Sequence, residues 1–388
     1  MPKHSTAGIF RRLTLLAAVN ISIPILAIEL FSQFKYQTGI FSTENHGLNA
    51  PNSKSITTYT KLYGNPAEAK EVLFRTDRYG TIIPSSLEPT IKENTFASTV
   101  LFCGGSTTEA AAVTENRRPT DIFSKISGIR SVNTAISGKG INGCIKTLHY
   151  IFSNFGKPSK VAIATNVNTL MNFGIENHTQ ALNSNKQQHK TKTFFLKKIE
   201  TYLPGIWHAI SDFKMNREID TNKAGIPSST TTMEEALEGG CCHGAGRFNR
   251  KNSTVKLDWS SKKTSNAFSK FVTKSGEKLK EVLEKHQFPI DRVFILIEPN
   301  SYNLKQRETL PDYRQFLHGN DSSSLGPKTS HLLTSKFDKI YSRSLSKLGF
   351  KIFEIDSDLL KPSFFYDAVH LTPEGSEAMG IHYSKILN

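Results

Sequence analysis

The stretch that decides the fold is Val100-Leu-Phe-Cys-Gly-Gly-Ser106-Thr-Thr-Glu109. Its apolar run from Val100 to Phe102 is typical of a short buried strand. Two glycines follow and permit a sharp turn, which delivers Ser106 to a helix-like segment that begins near Thr108. Open α/β sheets bind their ligands at the carboxyl ends of the strands. Ser106 is therefore a candidate nucleophile, although an ordinary strand-to-helix turn has the same composition.

Further apolar runs repeat this alternation of strand and helix along the chain. Segments with helical spacing of apolar residues separate the runs, which gives the βαβ rhythm of a parallel, doubly wound sheet. We therefore predict an α/β fold with three layers and about five parallel strands, similar to the flavodoxin-like sheets. The predicted strands are Val100–Phe102, a short strand that ends at Val132, Val161–Thr165, Val293–Ile297 and Lys351–Ile355.

The predicted helices come from apolar residues that recur at intervals of three and four. Such residues extend from Ile141 to Phe155, from Phe268 to Leu283 and from Phe337 to Leu348. The last helix has a clear start, because Thr372 is a favourable N-cap and Pro373 suits the first helical position.

The N-terminus has the charge pattern of a membrane anchor. Lys3, Arg11 and Arg12 lie in residues 1–12, and residues 13–34 carry no charge apart from Glu29. Basic residues before an apolar run keep the N-terminus in the cytoplasm and place the rest of the chain across the membrane. We predict a transmembrane signal anchor at residues 13–34 and an extracytoplasmic domain after it. A cleaved signal peptide and a twin-arginine export signal are alternatives, and a buried globular helix is a third.

The remainder divides by composition. Residues 35–95 are mostly polar and are predicted to be a tether with an edge segment, and residues 96–388 are predicted to form the catalytic domain. Within that domain, residues 179–261 lose the strand and helix periodicity, which predicts a long insertion. The insertion contains Cys241, Cys242 and His243 in a glycine-rich context, and we interpret these residues as a loop, not as a metal site.

Charge and cysteine content exclude some functions. The net charge of +15 is compatible with anionic partners. The sequence has no compact Lys/Arg stripe interleaved with aromatic residues, so we expect no nucleic acid partner. The cysteines Cys103, Cys144, Cys241 and Cys242 have no C-x-x-C spacing and no histidine-rich neighbours, so we expect no metal and no cofactor.

Serine-dependent acyl transfer needs a nucleophile, a base, a carboxylate that orients the base, and donors for the oxyanion. Ser106, His370 and Asp367 can fill the first three roles. The backbone N–H groups of Ser106 and Gly138 and the side-chain amide of Asn168 can form the oxyanion hole. Each of these residues alone is more often structural than catalytic, but their order along the chain favours a common site.

These residues resemble the four blocks of the SGNH (GDSL-type) hydrolase superfamily, in order. Gly104-Gly-Ser106-Thr is similar to the nucleophile block, and Asn133-Thr-Ala-Ile-Ser-Gly138 to the block of the oxyanion glycine. Val161-Ala-Ile-Ala-Thr-Asn-Val-Asn168 resembles the asparagine block, and Asp367-Ala-Val-His370 the terminal Asp-x-x-His. The resemblance covers roughly residues 96–170 and 290–386 and implies a serine esterase fold and activity.

The sequence departs from the superfamily pattern in two blocks. The aspartate that usually precedes the serine is replaced by Gly105, and the Gly-x-Asn-Asp block has Asn166 and Thr169 in place of its glycine and aspartate. An α/β-hydrolase is the alternative considered, but its nucleophile elbow requires glycine where this chain has Thr108.

Three functions agree with these observations. The first is an extracytoplasmic, membrane-anchored serine esterase that removes O-acyl groups from a carbohydrate or cleaves another ester. The second is an O-acyltransferase for a cell-surface polysaccharide, which would use the same triad. The third is a glycan-binding protein with a degenerate site. The carbohydrate substrate is implied by the resemblance alone, because anchored SGNH proteins with a similar Gly-Gly-Ser-Thr-Thr block modify cell-surface polysaccharides.

Overall fold

A computed structural model describes residues 47–49, 51–59, 70–170, 172–173, 261–300, 327–355, 360–365 and 370–388. All of them belong to one structural unit. The predicted anchor at residues 13–34, the insertion up to residue 260, and Asp367 lie outside the described ranges. Among the helices that are described, none combines the length and the apolar character needed to cross a membrane.

The centre of the fold is a five-stranded, all-parallel sheet, and a separate two-stranded antiparallel sheet precedes it. The small sheet consists of β1 (Lys54–Tyr59) and β2 (Lys70–Arg75). The large sheet consists of β3 (Val100–Gly104), β4 (Ser131–Asn133), β5 (Lys160–Ala164), β6 (Val293–Ile297) and β7 (Lys351–Glu354). Its spatial order is β4-β3-β5-β6-β7, which is the order of flavodoxin-like sheets.

Helices connect these strands. They are α1 (Leu87–Lys92), α2 (Ser106–Glu109), α3 (Pro119–Ser127), α4 (Ile141–Asn154), α5 (Lys262–Lys285), α6 (Pro327–Ser346) and α7 (Pro373–Leu387). Short 3-10 helices lie at Phe96–Ser98, Ile290–Arg292 and Pro362–Phe364.

Two hydrophobic cores pack against opposite faces of the large sheet. Side chains alternate along a strand, so Leu101 and Cys103 enter one core while Val100 and Phe102 enter the other. The first core also contains apolar residues of α4, α5 and α6, and the second contains residues of α3 and α7. The prediction of an α/β protein with about five parallel strands in three layers is confirmed.

The local predictions agree with most of these elements. The predicted run Val293–Ile297 coincides with β6, and Thr372 caps α7 by accepting a hydrogen bond from the Gly375 N–H at 3.2 Å. Some elements were not predicted from the sequence: α1 and β1 lie within the segment predicted to be a tether with an edge segment, and α3 lies in a stretch without a structural prediction.

The edge segment is bonded to α3 and β4. The side chain of Arg118, which has no exposed surface, donates to the carbonyl oxygens of Ile83 and Leu73 at 2.8 Å each. Ile82 in addition forms an antiparallel bridge with Asn133 at the end of β4. Residues 70–95 therefore belong structurally to the same unit as the large sheet.

A disulfide joins Cys103 of β3 to Cys144 of α4. Both residues are fully buried, and 41 positions separate them in the sequence. The bond ties the strand that leads to Ser106 to the helix that follows the Gly138 loop. No pairing of these cysteines was predicted from the sequence.

We expect the double substitution Cys103→Ala and Cys144→Ala to lower the free energy of unfolding by roughly 2–4 kcal/mol, because it opens a covalently closed loop. Urea denaturation of the oxidised protein measures the loss, with Cys241→Ala and Cys242→Ala as the matched control. Free thiols at positions 103 and 144 in non-reducing peptide mapping would contradict the pairing.

Candidate active site

Ser106 is the first residue of α2, immediately after the Gly104–Gly105 turn that ends β3. The residue is 7% exposed, and its carbonyl oxygen accepts a hydrogen bond from the Ala110 N–H at 2.9 Å. The N–H of a first helical residue has no acceptor within its own helix. The turn therefore presents both a hydroxyl group and an uncommitted backbone donor at the carboxyl edge of the sheet.

Asn168 packs directly against this turn. The strand β5 that precedes Asn168 is the parallel neighbour of β3, so both residues follow strand ends at the same edge. The Asn168 Nδ2 atom lies 1.5 Å from the point that a Cβ on Gly105 would occupy. An aspartate at position 105, as in the SGNH pattern, would therefore collide with the amide. Asn168 lies on a helical turn at residues 166–170.

The other departures from the pattern also have structural contacts. Asn166 accepts a hydrogen bond from the Glu298 N–H at 2.9 Å and donates to the Glu298 carbonyl oxygen at 3.3 Å. Thr169 accepts from the N–H of Ile141, the first residue of α4, at 3.0 Å. Each departure thus fixes a neighbouring element of this chain.

Gly138 lies in the loop between β4 and α4, with a positive φ of 79° that favours glycine. Its carbonyl oxygen accepts a hydrogen bond from Asn172 Nδ2 at 3.3 Å. The preceding residue, Ser137, donates its N–H to Glu109 Oε2 at 2.8 Å, and its hydroxyl donates to the same oxygen. Because Glu109 is the last residue of α2, this contact attaches the glycine loop to the short helix that carries Ser106.

His370 is 6% exposed and lies two residues before the N-cap of α7. Burial raises the pKa of both Glu109 and Glu298, and the charge of His370 partly opposes this effect, so the imidazole lies within electrostatic reach of both carboxyl groups. Contacts thus join the segments that carry Ser106, Gly138 and Asn168, and His370 acts electrostatically on Glu109 and Glu298. Asp367, the predicted third member of the triad, lies outside the described residues.

Glu109 and Lys139, the residue after Gly138, are buried and influence each other's pKa. Burial raises the pKa of Glu109, and it lowers the pKa of Lys139 to about 7, while the charge of each opposes the effect of burial on the other. The Lys139 ammonium donates to the carbonyl oxygen of Thr134 and to the Thr147 hydroxyl. No role was predicted from the sequence for either residue, although Glu109 is the last residue of the stretch Val100–Glu109 that decides the fold.

Glu298 is a further buried acid that the sequence analysis did not select. It directly follows β6, and its Oε1 atom accepts a hydrogen bond from the Thr108 hydroxyl at 2.9 Å. Burial raises the pKa of Glu298 to about 8. The sequence signal that could have identified Glu298 is its position as a charged residue directly after a fully apolar strand.

Across the described ranges, no three His, Cys, Asp or Glu side chains are grouped so that they could hold a metal ion. Cys241, Cys242 and His243 lie outside those ranges. The site described above consists of a serine, a histidine, buried carboxyl groups and backbone or amide donors, which is the chemistry of acyl transfer.

Comparisons with known proteins found no protein-family model that matches this chain and no curated protein similar to it. The likeness to the SGNH superfamily therefore rests on the four short blocks of the sequence.

We expect Gly105→Ala to displace the Asn168 amide, because the new Cβ would overlap Nδ2. Under the hypothesis of a serine esterase in which Asn168 is an oxyanion donor, activity toward a model ester should fall by roughly the 10²–10³-fold seen when one such donor is lost. Initial rates with p-nitrophenyl acetate measure this effect. Gly128→Ala is the control, because no atom lies within 4 Å of its added Cβ and only the positive φ of 70° costs stability. Equal activity of Gly105→Ala and the wild type would contradict the contact.

We expect Glu298→Gln to change how stability depends on pH. The folded-state pKa of about 8 lies above the ordinary value of 4.5, so the wild type loses stability relative to the variant as pH rises from 4.5 to 8. The difference should reach a few kcal/mol, since each unit between the two pKa values is worth about 1.4 kcal/mol. Urea denaturation from pH 4 to 9 measures it, and a difference that is constant with pH would contradict the burial of an ionisable group.

Proposed function

We propose that this chain is an extracytoplasmic serine esterase of the SGNH type that hydrolyses O-acyl esters. Ser106 attacks the ester carbonyl, and His370 accepts the hydroxyl proton and returns it to the leaving alcohol. Asp367 orients the imidazole. The N–H groups of Ser106 and Gly138 and the amide of Asn168 stabilise the tetrahedral oxyanion, and water then releases the acyl group from Ser106.

The observation that carries this proposal is the close approach of Asn168 Nδ2 to Gly105, beside Ser106. This contact brings an amide donor against the turn of the nucleophile at the place where β3 and β5 end side by side. In sheets of this order, that place is the topological switch point where ligands bind. The attachment of the Gly138 loop to α2 through Glu109 supports the same arrangement.

The location outside the cytoplasm is supported by two independent features. The basic N-terminal residues followed by an apolar run favour a membrane anchor at residues 13–34. The buried Cys103–Cys144 disulfide is typical of proteins that fold in an oxidising compartment. An acylated carbohydrate at the cell surface is the substrate that the sequence resemblance favours.

We expect Ser106→Ala to abolish both ester cleavage and labelling by a fluorophosphonate probe, because the substitution removes the nucleophile. His370→Ala should reduce turnover nearly as much, since members of one catalytic unit are strongly non-additive. Labelling of the purified soluble domain, followed by peptide mass spectrometry, locates the modified residue. Ser98→Ala is the control, because this exposed hydroxyl bonds only the Thr95 carbonyl oxygen of its own turn.

Asn168→Ala supplies a graded outcome in the same assay. It retains the nucleophile and the base but removes one oxyanion donor, so turnover should fall about 10²–10³-fold. Cleavage by Ser106→Ala at the wild-type rate would refute the esterase proposal. Product analysis with and without a glycan acceptor separates hydrolysis from acyl transfer, because both proceed through the same acyl-enzyme.

A further inference from the structure

Glu298 occupies a fixed position at the active-site edge of the sheet. It is 1% exposed and is the first residue after β6, which pairs with β5. Asn166 holds the Glu298 main chain through both its N–H and its carbonyl oxygen. The Asn166 side chain donates in addition to Asp338 Oδ1 of α6 at 2.9 Å. The backbone of Glu298 is thus held by β6 and by the turn at residues 166–170, which is itself bonded to α6.

The Glu298 carboxyl group bonds the short helix that carries the nucleophile. Its Oε1 atom accepts from the hydroxyl of Thr108, a residue with no exposed surface that lies two positions after Ser106. The Thr108 carbonyl oxygen in turn accepts from Asn133 Nδ2 at 3.1 Å. Contacts from two strand ends therefore hold α2, and the contact from Glu298 acts through the side chain of Thr108.

The second oxygen of the carboxyl group, Oε2, is buried and has no hydrogen-bond partner among the described residues. The hydrogen bond to Thr108 requires only an acceptor, which a neutral glutamine would supply at lower electrostatic cost. The presence of an ionisable group therefore calls for a second role. The nearby His370 provides one, because its positive charge favours the Glu298 carboxylate.

Other charged and titratable groups surround the same carboxyl group. Asp338 of α6 disfavours the carboxylate, and the charge of Glu298 disfavours ionisation of Tyr341 of α6 and Tyr383 of α7. His370 is thus the group among these that stabilises the ionised form of Glu298.

We propose that Glu298 is a positioning residue of the active site, which holds the Ser106 turn through Thr108 and stabilises the imidazolium of His370 through its charge. This inference rests on the proposed esterase function. Where Glu298 is ionised, its negative charge lowers the energy of the imidazolium that forms when His370 takes the Ser106 proton. No bond to substrate forms at Glu298, and its effect reaches the reacting atoms through Thr108 and His370.

The experiment combines kinetics with a histidine titration. We expect Glu298→Gln to lower kcat about tenfold with KM changed less than twofold. In the wild type we expect kcat to rise as Glu298 ionises near pH 8, and Glu298→Gln should remove this rise. Thr108→Val should also lower kcat, whereas Thr108→Ser, which keeps the hydroxyl, should remain within twofold of the wild type.

The double variant Glu298→Ala with Thr108→Val should be no slower than Glu298→Ala alone, because both substitutions remove the same hydrogen bond between Thr108 and Glu298. Glu354→Gln is the matched control, since this exposed glutamate ends β7 at the same sheet edge.

Histidine NMR on the same folded variants provides a readout that does not require catalysis. The imidazole resonance of His370, assigned by its loss in His370→Ala, should titrate at lower pH in Glu298→Gln than in the wild type. A wild-type kcat and pH profile in Glu298→Gln, additive effects of the two substitutions, or an unchanged His370 titration would each overturn the proposal. If the wild-type Ser106 is inert while the titration shifts, the esterase function fails and the charge coupling between Glu298 and His370 stands.

Discussion

The arrangement of this protein depends on the pairing of β3 with a parallel neighbour on each side. The strand β3 lies between β4 and β5, and the chain passes from β3 to β4 by way of α3 on one face and from β4 to β5 by way of α4 on the other. The two connections leave on opposite faces, and sheets of this order bind their ligands at such a place. Ser106 lies at that point, the Gly138 loop follows β4, and the Asn168 turn follows β5. The serine, the glycine and the amide come together because the strands are parallel and adjacent.

The part of this arrangement that follows from local patterns could be predicted from the sequence. Fully buried parallel strands are continuous apolar runs, and the run Val293–Ile297 is bounded so clearly that its limits agree with β6. The same holds for Thr372 and Pro373, because capping depends on residues only a few positions apart. The serine at the end of the first run is visible for the same reason. Such signals concern neighbours along the chain.

Contacts between distant residues were not predictable in this way. Glu298 meets Thr108 across 190 positions of sequence, and the Cys103–Cys144 disulfide closes over a separation of 41. Nothing in the spacing of either pair indicates the contact, because it arises only when the strands are ordered in the sheet. The electrostatic influence of the buried Glu109 and Lys139 on each other has the same origin. Buried groups that change the pKa values of a site are thus difficult to predict from a single sequence. Their burial lowers the stability of the fold, as is common at active sites.

The contact between Gly105 and Asn168 restricts how this site can change in evolution. No side chain at position 105 fits while the Asn168 amide keeps its place, since even a methyl carbon would overlap it. A chain with aspartate at position 105 needs a different course of the Asn168 side chain or of the turn at residues 166–170. The two positions can therefore vary only together, and a single substitution at either one passes through an impaired intermediate. Among relatives of this chain, glycine at the first position and this placement of the asparagine should be inherited as one unit.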